Sequence, residues 1–373
     1  MQSVRKNSGK RGNTWTAVVE AGRDPVSGRR KQLKKTFRTR AEAVNWRTKT
    51  LHELNTGAYI EAAKDALDVY LSNWLITIRP TVKPATYERY RQIVSGHLIP
   101  VLGAVPLAKL SPVHIQQLYA SKLAEGLSPS TVSIYYQVLH RALEQAVKWQ
   151  MLYRNPCDGV DAPRPVDMEM KTWNAEQVRA FLVGSSEDSL CALWRLAVTT
   201  GMRRGEMLAL RWADVDLDRG EIYVRRTLTR GEHGLMFGEP KSAKGKRSIA
   251  ITQSSVAELQ KHCRRQAERR LQVGPLWDDT DLVFERGNGR VLHGNVVGNR
   301  FRNLTKKLGL PRIRFHDLRH TAATLMLANG EHPKIVQERL GHSDISMTLN
   351  KYSHVTMGMQ RDAADRLDAM LGS

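Results

Sequence analysis

Only three cysteines occur in 373 residues, Cys157, Cys191 and Cys263, far apart and in no CxxC pair. That excludes a cysteine-built zinc site and a disulfide framework, and it fits a reducing cytosol. No run approaches the roughly 18 apolar residues a helix needs to cross a bilayer. The opening stretch MQSVRKNSGKRGN is basic but has no apolar segment, so it does not read as a secretory signal. A nucleotide loop is missing too: Gly245-Lys246 is followed by Arg247 instead of Ser or Thr, and Pro240 stands where the first glycine belongs. Acidic residues are few, 37 Asp and Glu against 58 Lys and Arg, which leaves a formal charge of +21. A surplus of that size attracts phosphate or an anionic surface, and with no spanning segment nucleic acid is the expected partner. With 41% hydrophobic residues the chain is not disordered as a whole, and its length suits two or three domains.

The charge is unevenly spread. Residues 1–56 hold 14 Lys and Arg against 4 Asp and Glu, residues 57–169 hold 11 against 10, and residues 170–373 hold 33 against 23. A basic run is ordinarily a solvated tail, but here the pattern is that of a folded module. Thr14 to Val19 is rich in β-branched and aromatic residues and reads as a strand. Asp24-Pro25-Val26-Ser27-Gly28 supplies turn residues. Arg30 to Phe37 alternates, with Lys31, Leu33, Lys35 and Phe37 on one face and Arg30, Gln32, Lys34 and Thr36 on the other. Thr39-Arg40-Ala41-Glu42 is a capping box that opens a helix to about Leu54. A small basic sheet backed by one helix could lay a strand in a DNA groove, and Arg29, Arg30, Lys31, Lys34 and Lys35 are its expected DNA contacts.

Residues 57–63 read as a linker, and residues 64–163 as a nearly neutral helical domain. Ser111-Pro112 and Ser128-Pro129 each set an N-cap before a first-turn proline. Val132, Tyr135, Leu139, Leu143 and Ala146 then recur every three or four residues, a stripe for core packing. Arg79, Lys83, Arg89, Arg91 and Lys122 offer phosphate contacts, none of them distinctive. Ala162-Pro163-Arg164-Pro165 breaks the helical pattern, and Asn174 to Gln177 is a second capping box opening residues 170–373. Glu221 to Val224 and Arg247 to Ile251 are strand-like, and the chain from Phe315 onward is mostly helical.

His316 and His320 have metal-ligand spacing, but Arg319 puts a fixed positive charge between them and the Glu of HExxH is missing, which argues against a metal. His97 and His114 read as surface or packing residues. His316 and Arg319, three apart, share a helix face and aim an imidazole and a guanidinium at one point. A guanidinium grips two phosphate oxygens and stays charged, which suits a phosphoryl transition state. Arg203 follows a glycine turn in TGMRRGE, His342 follows the helix stop LG, and Tyr352 comes ten residues later.

With TGMRRGE (Arg203), PKSAKGKRSIAI (Lys241), HDLRH (His316 and Arg319), LGH (His342) and NKYSH (Tyr352), the sequence resembles the tyrosine recombinases, the phage-type integrases. The resemblance implies a multidomain, mainly α chain with small β-sheets. Residues 1–56 would be an arm-type DNA-binding domain, a three-stranded sheet plus helix. Residues 64–163 would be a helical core-binding domain, and residues 170–373 a mixed α/β catalytic domain with a C-terminal tail helix. It implies site-specific recombination through a 3′-phosphotyrosyl intermediate and a Holliday junction, with Tyr352 as nucleophile and neither ATP nor a metal required. Arg203, Arg319 and His342 would hold the non-bridging oxygens, His316 would help take the tyrosine proton, and Lys241 would protonate the leaving 5′-oxygen. Lys244 and Lys246 compete for the acid role, and the Pro-Lys-Ser context favours Lys241. Glu206 reads as a buried partner of Arg203, and Arg204 as a DNA contact.

The partners implied are double-stranded DNA at core-type and arm-type sites and three further copies of the chain, docked through a tail stripe of Ala363, Leu367 and Met370. A DNA-bending host factor and a directionality factor are further expected partners, and the expected location is the bacterial cytoplasm, at the nucleoid. Two other readings are a type IB topoisomerase-like enzyme, against which the arm-like head argues, and a non-catalytic DNA-binding regulator, against which the intact catalytic positions argue.

Overall fold

The computed structural model describes residues 4–9, 12–23, 29–55, 65–164, 170–231, 234–240, 243–341, 365 and 367–372. The chain divides into two compact units, Met1–Val166 and Asp167–Ser373.

At the N-terminus, β1 (Val4–Gly9), β2 (Gly12–Arg23) and β3 (Arg30–Phe37) form an antiparallel sheet in that order, followed by α1 (Arg40–Asn55). Trp15 pairs with Phe37 and Val19 with Leu33, so side chains of one face meet across the pair. That face carries the buried Ala17 and Val19, and α1 packs on it through buried Ala43 and through Trp46, whose ring lies 5.8 Å from Phe37. The expected capping box is present: the Glu42 amide donates to Thr39 Oγ1 at 3.3 Å, and the Thr39 amide donates to Glu42 Oε2 at 3.4 Å. The other face stays polar. Asn7 donates to Thr16 Oγ1 at 2.7 Å, Thr16 and Thr36 hydroxyls lie 2.9 Å apart, and Gln32 donates to Glu20 at 2.6 Å.

The helical part runs through α2 (Leu67–Ile78), α3 (Pro84–Ile93), a π turn (Val94–Leu98), α4 (Ile99–Leu102), α5 (Pro112–Ala124) and α6 (Pro129–Lys148). Ser128 caps α6 by accepting from the Thr131 amide at 3.2 Å, and the five expected stripe residues of α6 are all buried. His97 stacks on Tyr135 at 4.6 Å between ring centroids, and His114 Nδ1 accepts from the Ser111 amide at 3.2 Å, completing the α5 cap. Lys122 is a correction. It is buried and donates to both oxygens of Glu125, the C-cap residue of α5, at 2.9 Å, so its own helix end occupies it rather than a phosphate.

The second unit contains α7 (Ala175–Gly184), α8 (Cys191–Thr200), α9 (Arg204–Leu208), β4 (Val215–Asp216), β5 (Glu221–Val224), β6 (Thr227–Gly231), β7 (Gly234–Gly238), β8 (Arg247–Ala250), α10 (Gln253–Val273), α11 (Gly294–Lys307), α12 (Asp317–Ala328) and α13 (Pro333–Leu340). Its core is aromatic: Trp173, Phe181, Trp194, Phe301 and Phe315 pack with neighbouring centroids 5.1–6.2 Å apart. Asn174 and Gln177 form the expected box, with amide-to-side-chain distances of 2.8 and 3.0 Å. The two expected strands are β5 and β8, paired directly, and a longer stretch lies between them. It carries the hairpin β6–β7, and β4 completes the sheet beside β5.

Candidate functional site

Of the described members of the expected site, Arg203 and Arg319 meet at the C-terminus of α13, and His316 lies near both guanidiniums. Lys241, His342 and Tyr352 lie outside the described residues, as does Ala363 of the tail stripe. α8 ends at Gly201, whose φ of +63° is left-handed, and a Cβ there would come within 2.5 Å of Leu340 Cδ2. Glycine is therefore needed twice, for the backbone conformation and for the close approach of α13. Arg203 sits two residues on, at the N-cap of α9, and His316 occupies the N-cap of α12 with Arg319 in its first turn.

Buried Glu206 holds Arg203 by both ends. Its Oε2 accepts from the Arg203 amide at 3.0 Å, and its Oε1 accepts from the guanidinium at 2.8 Å. Oε2 also takes Arg247 Nη2 at 2.9 Å. Burial pushes the Glu206 carboxyl up, but the two guanidiniums more than reverse this, and it stays below the ordinary carboxylate range. Three arginines meet three successive carbonyls at the end of α13. Arg247 Nε reaches the Arg339 oxygen at 2.6 Å, Arg319 Nη2 the Leu340 oxygen at 2.7 Å, and Arg203 Nη2 the Gly341 oxygen at 3.3 Å. These carbonyls have no partner within the helix and lie at its negative end, where cations are favoured. Arg319 also donates to the Gly201 oxygen at 2.7 Å, which ties the α8 turn to the same point.

Burial lowers the His316 pKa, and Arg319 and Arg203 add to the shift against the opposing Asp317 carboxylate, which favours the neutral imidazole. Its ring stands edge-on to His320 at 5.6 Å. Buried Asp317 fixes the approach to α12 by accepting from the Arg314 amide at 2.8 Å and from its guanidinium at 2.9 Å.

An open cleft of about 830 Å³ adjoins these groups, lined by Arg203, Arg204, Asn295, Arg302, Arg314 and His316 among others. Exposed Arg204 donates to the Gly294 oxygen at 3.1 Å, and a Cβ on Gly294 would lie within 2.8 Å of Arg204 Nε. The α11 side of this cleft is not foreseeable from motifs; the only signal is a basic, Asn-bearing helix start. Among the expected general acids, Lys246 pairs with Glu239 at 2.6 Å. In the N-terminal sheet Arg29, Arg30, Lys34 and Lys35 are exposed, and the Lys31 side chain is outside the described set. Arg30 pairs with Glu20 at 3.0 Å, and Lys35 Nζ lies 5.5 Å from the Phe37 ring centroid. Among the described residues no group of three or more His, Cys, Asp and Glu forms a metal cluster.

The profile of the phage integrase family matches residues 172–359, that of a phage integrase N-terminal SAM-like domain residues 67–124, and that of an arm DNA-binding domain residues 3–54. A tyrosine recombinase XerC-like protein of Caldanaerobacter subterraneus subsp. tengcongensis is 27% identical, with 95% of each chain covered. The ICEBs1 integrase of Bacillus subtilis is 26% identical, with 95% of this chain and 96% of that protein covered. The Tn1549 transposon integrase, solved in complex with a circular intermediate DNA, superposes with a TM-score of 0.68 at 25% identity, over 81% of this chain and 99% of that one. A lambda integrase dimer bound to a COC′ core site shares the fold, with a TM-score of 0.59 at 18% identity over 77% of this chain and 95% of that one.

Proposed function

The chain belongs to the phage integrase family and is a site-specific tyrosine recombinase, and from that premise we propose how its residues cut and rejoin DNA. Tyr352 attacks the scissile phosphorus. The bond to the 5′-oxygen breaks, a 3′-phosphotyrosyl link forms, and the energy of the phosphodiester is kept in that link. Neutral His316 accepts the tyrosine proton, and Lys241 gives a proton to the departing 5′-oxygen. Arg203, Arg319 and His342 hold the non-bridging oxygens, where negative charge grows in the transition state. Attack by the 5′-hydroxyl of a second duplex reverses the chemistry with exchanged strands and yields a Holliday junction.

The observation that carries this reading is the meeting of Arg203 and Arg319 on the Gly341 and Leu340 carbonyls, just before His342, with His316 close enough to feel both guanidinium charges. Residues 1–56 serve arm-type sites, residues 64–163 the core site, and residues 170–373 the chemistry. Arg29, Arg30, Lys31, Lys34, Lys35 and Arg204 are assigned to DNA. Exposed Leu367 and Met370 suit a tail that docks on a neighbouring copy in a tetramer, and a DNA-bending host factor and a directionality factor complete the assembly. Among the described residues no helix is long and apolar enough to cross a membrane, and we place the enzyme at the bacterial nucleoid, joining or releasing a mobile element. The test is strand exchange between two duplexes that carry the core site. Recombinant duplexes and a trapped four-way junction are expected; relaxation of supercoils with no exchange would instead indicate a topoisomerase.

A further inference from the structure

We infer that Arg247, which lies outside the expected catalytic set, is a positioning residue that binds the phosphate clamp, the lysine-bearing turn and the approach to His342 into one unit. The inference rests on the roles given above to Arg203, Lys241 and His342.

Arg247 opens β8, and its side chain is only 7% exposed. It is absent from the lining of the cleft at Arg203 and His316 and lines a separate one with Tyr223 and Lys246, and its role is assigned through the residues it holds. Its three nitrogens face three separate segments. Nη2 meets Glu206 Oε2 at 2.9 Å, and Glu206 in turn grips Arg203 by backbone and guanidinium. Nη1 donates to the Gly245 oxygen at 3.0 Å, on the turn that carries Lys244 and Lys246 and follows Lys241. Nε donates to the Arg339 oxygen at 2.6 Å, two residues before the Gly341 turn. The seating at Gly341 is close, since a Cβ there would fall within 3.0 Å of both Arg247 Nη1 and the Lys244 oxygen. With φ at +66°, Gly341 meets both demands as glycine.

Stability alone does not account for such a group. A buried ion pair is weak evidence of stabilisation, because desolvation offsets its attraction and apolar replacements of similar volume are often neutral. A planar fork with fixed donor directions does something else: it sets the relative placement of the acceptors it holds. Lysine keeps the charge that balances Glu206 but is a point donor on a flexible stem, and it cannot hold all three acceptors in one plane. Misplacement of reacting groups by an ångström costs up to about 100-fold in rate.

The test uses the full chain in single-turnover cleavage of a nicked suicide substrate, with rate constant and amplitude read separately. Arg247→Lys is expected to lower the rate constant between about 10- and 100-fold, with unchanged amplitude and unchanged core-site Kd. A purely structural Arg247 would lower Tm and amplitude and leave the rate constant of the remaining competent molecules as in the wild type, which would overturn the inference. Should Arg247→Lys fold poorly, the double variant Arg247→Met with Glu206→Met removes both buried charges together. Cleavage by it at the wild-type rate constant would likewise overturn the inference. A wild-type chain that forms no adduct would indict the reading of Tyr352; wild-type cleavage with unslowed variants would indict Arg247 alone.

Discussion

Gly201→Ala places a methyl group where α8 and α13 touch. The left-handed φ of +63° costs a non-glycine residue about 1–2 kcal/mol. The added Cβ would sit 2.5 Å from Leu340 Cδ2, and forcing an extra methyl into a packed site costs about 1–3 kcal/mol. Leu340 is fully buried, so it cannot swing into solvent to relieve the overlap. The sum, about 2–5 kcal/mol, should lower Tm by roughly 4–20 °C at about 2–4 °C per kcal/mol for a unit of this size. Activity should fall beyond what stability explains, because the Gly201 and Leu340 carbonyls that would move are the two that hold Arg319. Calorimetry gives the first effect, and cleavage measured well below Tm gives the second. Adding Leu340→Ala removes the clashing methyl, so the double variant should lose less than the two single losses combined. A single variant that melts within about 1 °C of the wild type would refute the contact, because either cost alone predicts a larger shift.

Other expectations follow from the site. With the His316 pKa lowered by burial and the arginines, the cleavage rate should stay flat as pH falls through the ordinary imidazole value of about 6.5 and decline only below it. His316 should also cost stability in the same direction, because the unfolded chain takes up the proton first as pH falls; an apparent kinetic pKa above 6.5 would contradict the assignment. Arg319→Ala should slow cleavage by about 10²–10³-fold with little change in core-site Kd, whereas a loss confined to binding would make it a simple anchor. Cleavage should persist in EDTA, and its loss would reopen a metal role for His316 and His320. Removing residues 1–56 should abolish arm-site binding, spare core-site binding and reduce the salt slope as phosphate contacts are lost; intact arm binding would reassign the head.

What is legible in the sequence follows from the range of the interactions involved. The caps at Thr39, Ser128 and Asn174 are set by residues three apart, and the α6 stripe by steps of three and four, so local spacing reveals both. The hairpin β6–β7 escapes notice because Gly231, Gly234 and Gly238 interrupt Thr227–Gly238 and its Leu228, Leu235 and Phe237 alternate too weakly to signal a strand. Lys122 looks like any solvated lysine until packing buries its stem. Arg203, His316 and Arg319 are legible from motif context, but the carbonyl cluster that orients the two arginines is not. Arg247 lies 41 residues from Glu206 and 92 from Arg339, and no periodicity links them. Asp317 is visible only as part of HDLRH, although its grip on Arg314 shapes the entry to α12.

The most direct test of the account is to map the covalent adduct. After reaction with a nicked suicide substrate, proteolysis and mass spectrometry should place the nucleotide on the peptide containing Tyr352, through a 3′-phosphate, and Tyr352→Phe should bind the site and yield no adduct. An adduct on any other residue, or one that survives Tyr352→Phe, would contradict the mechanism.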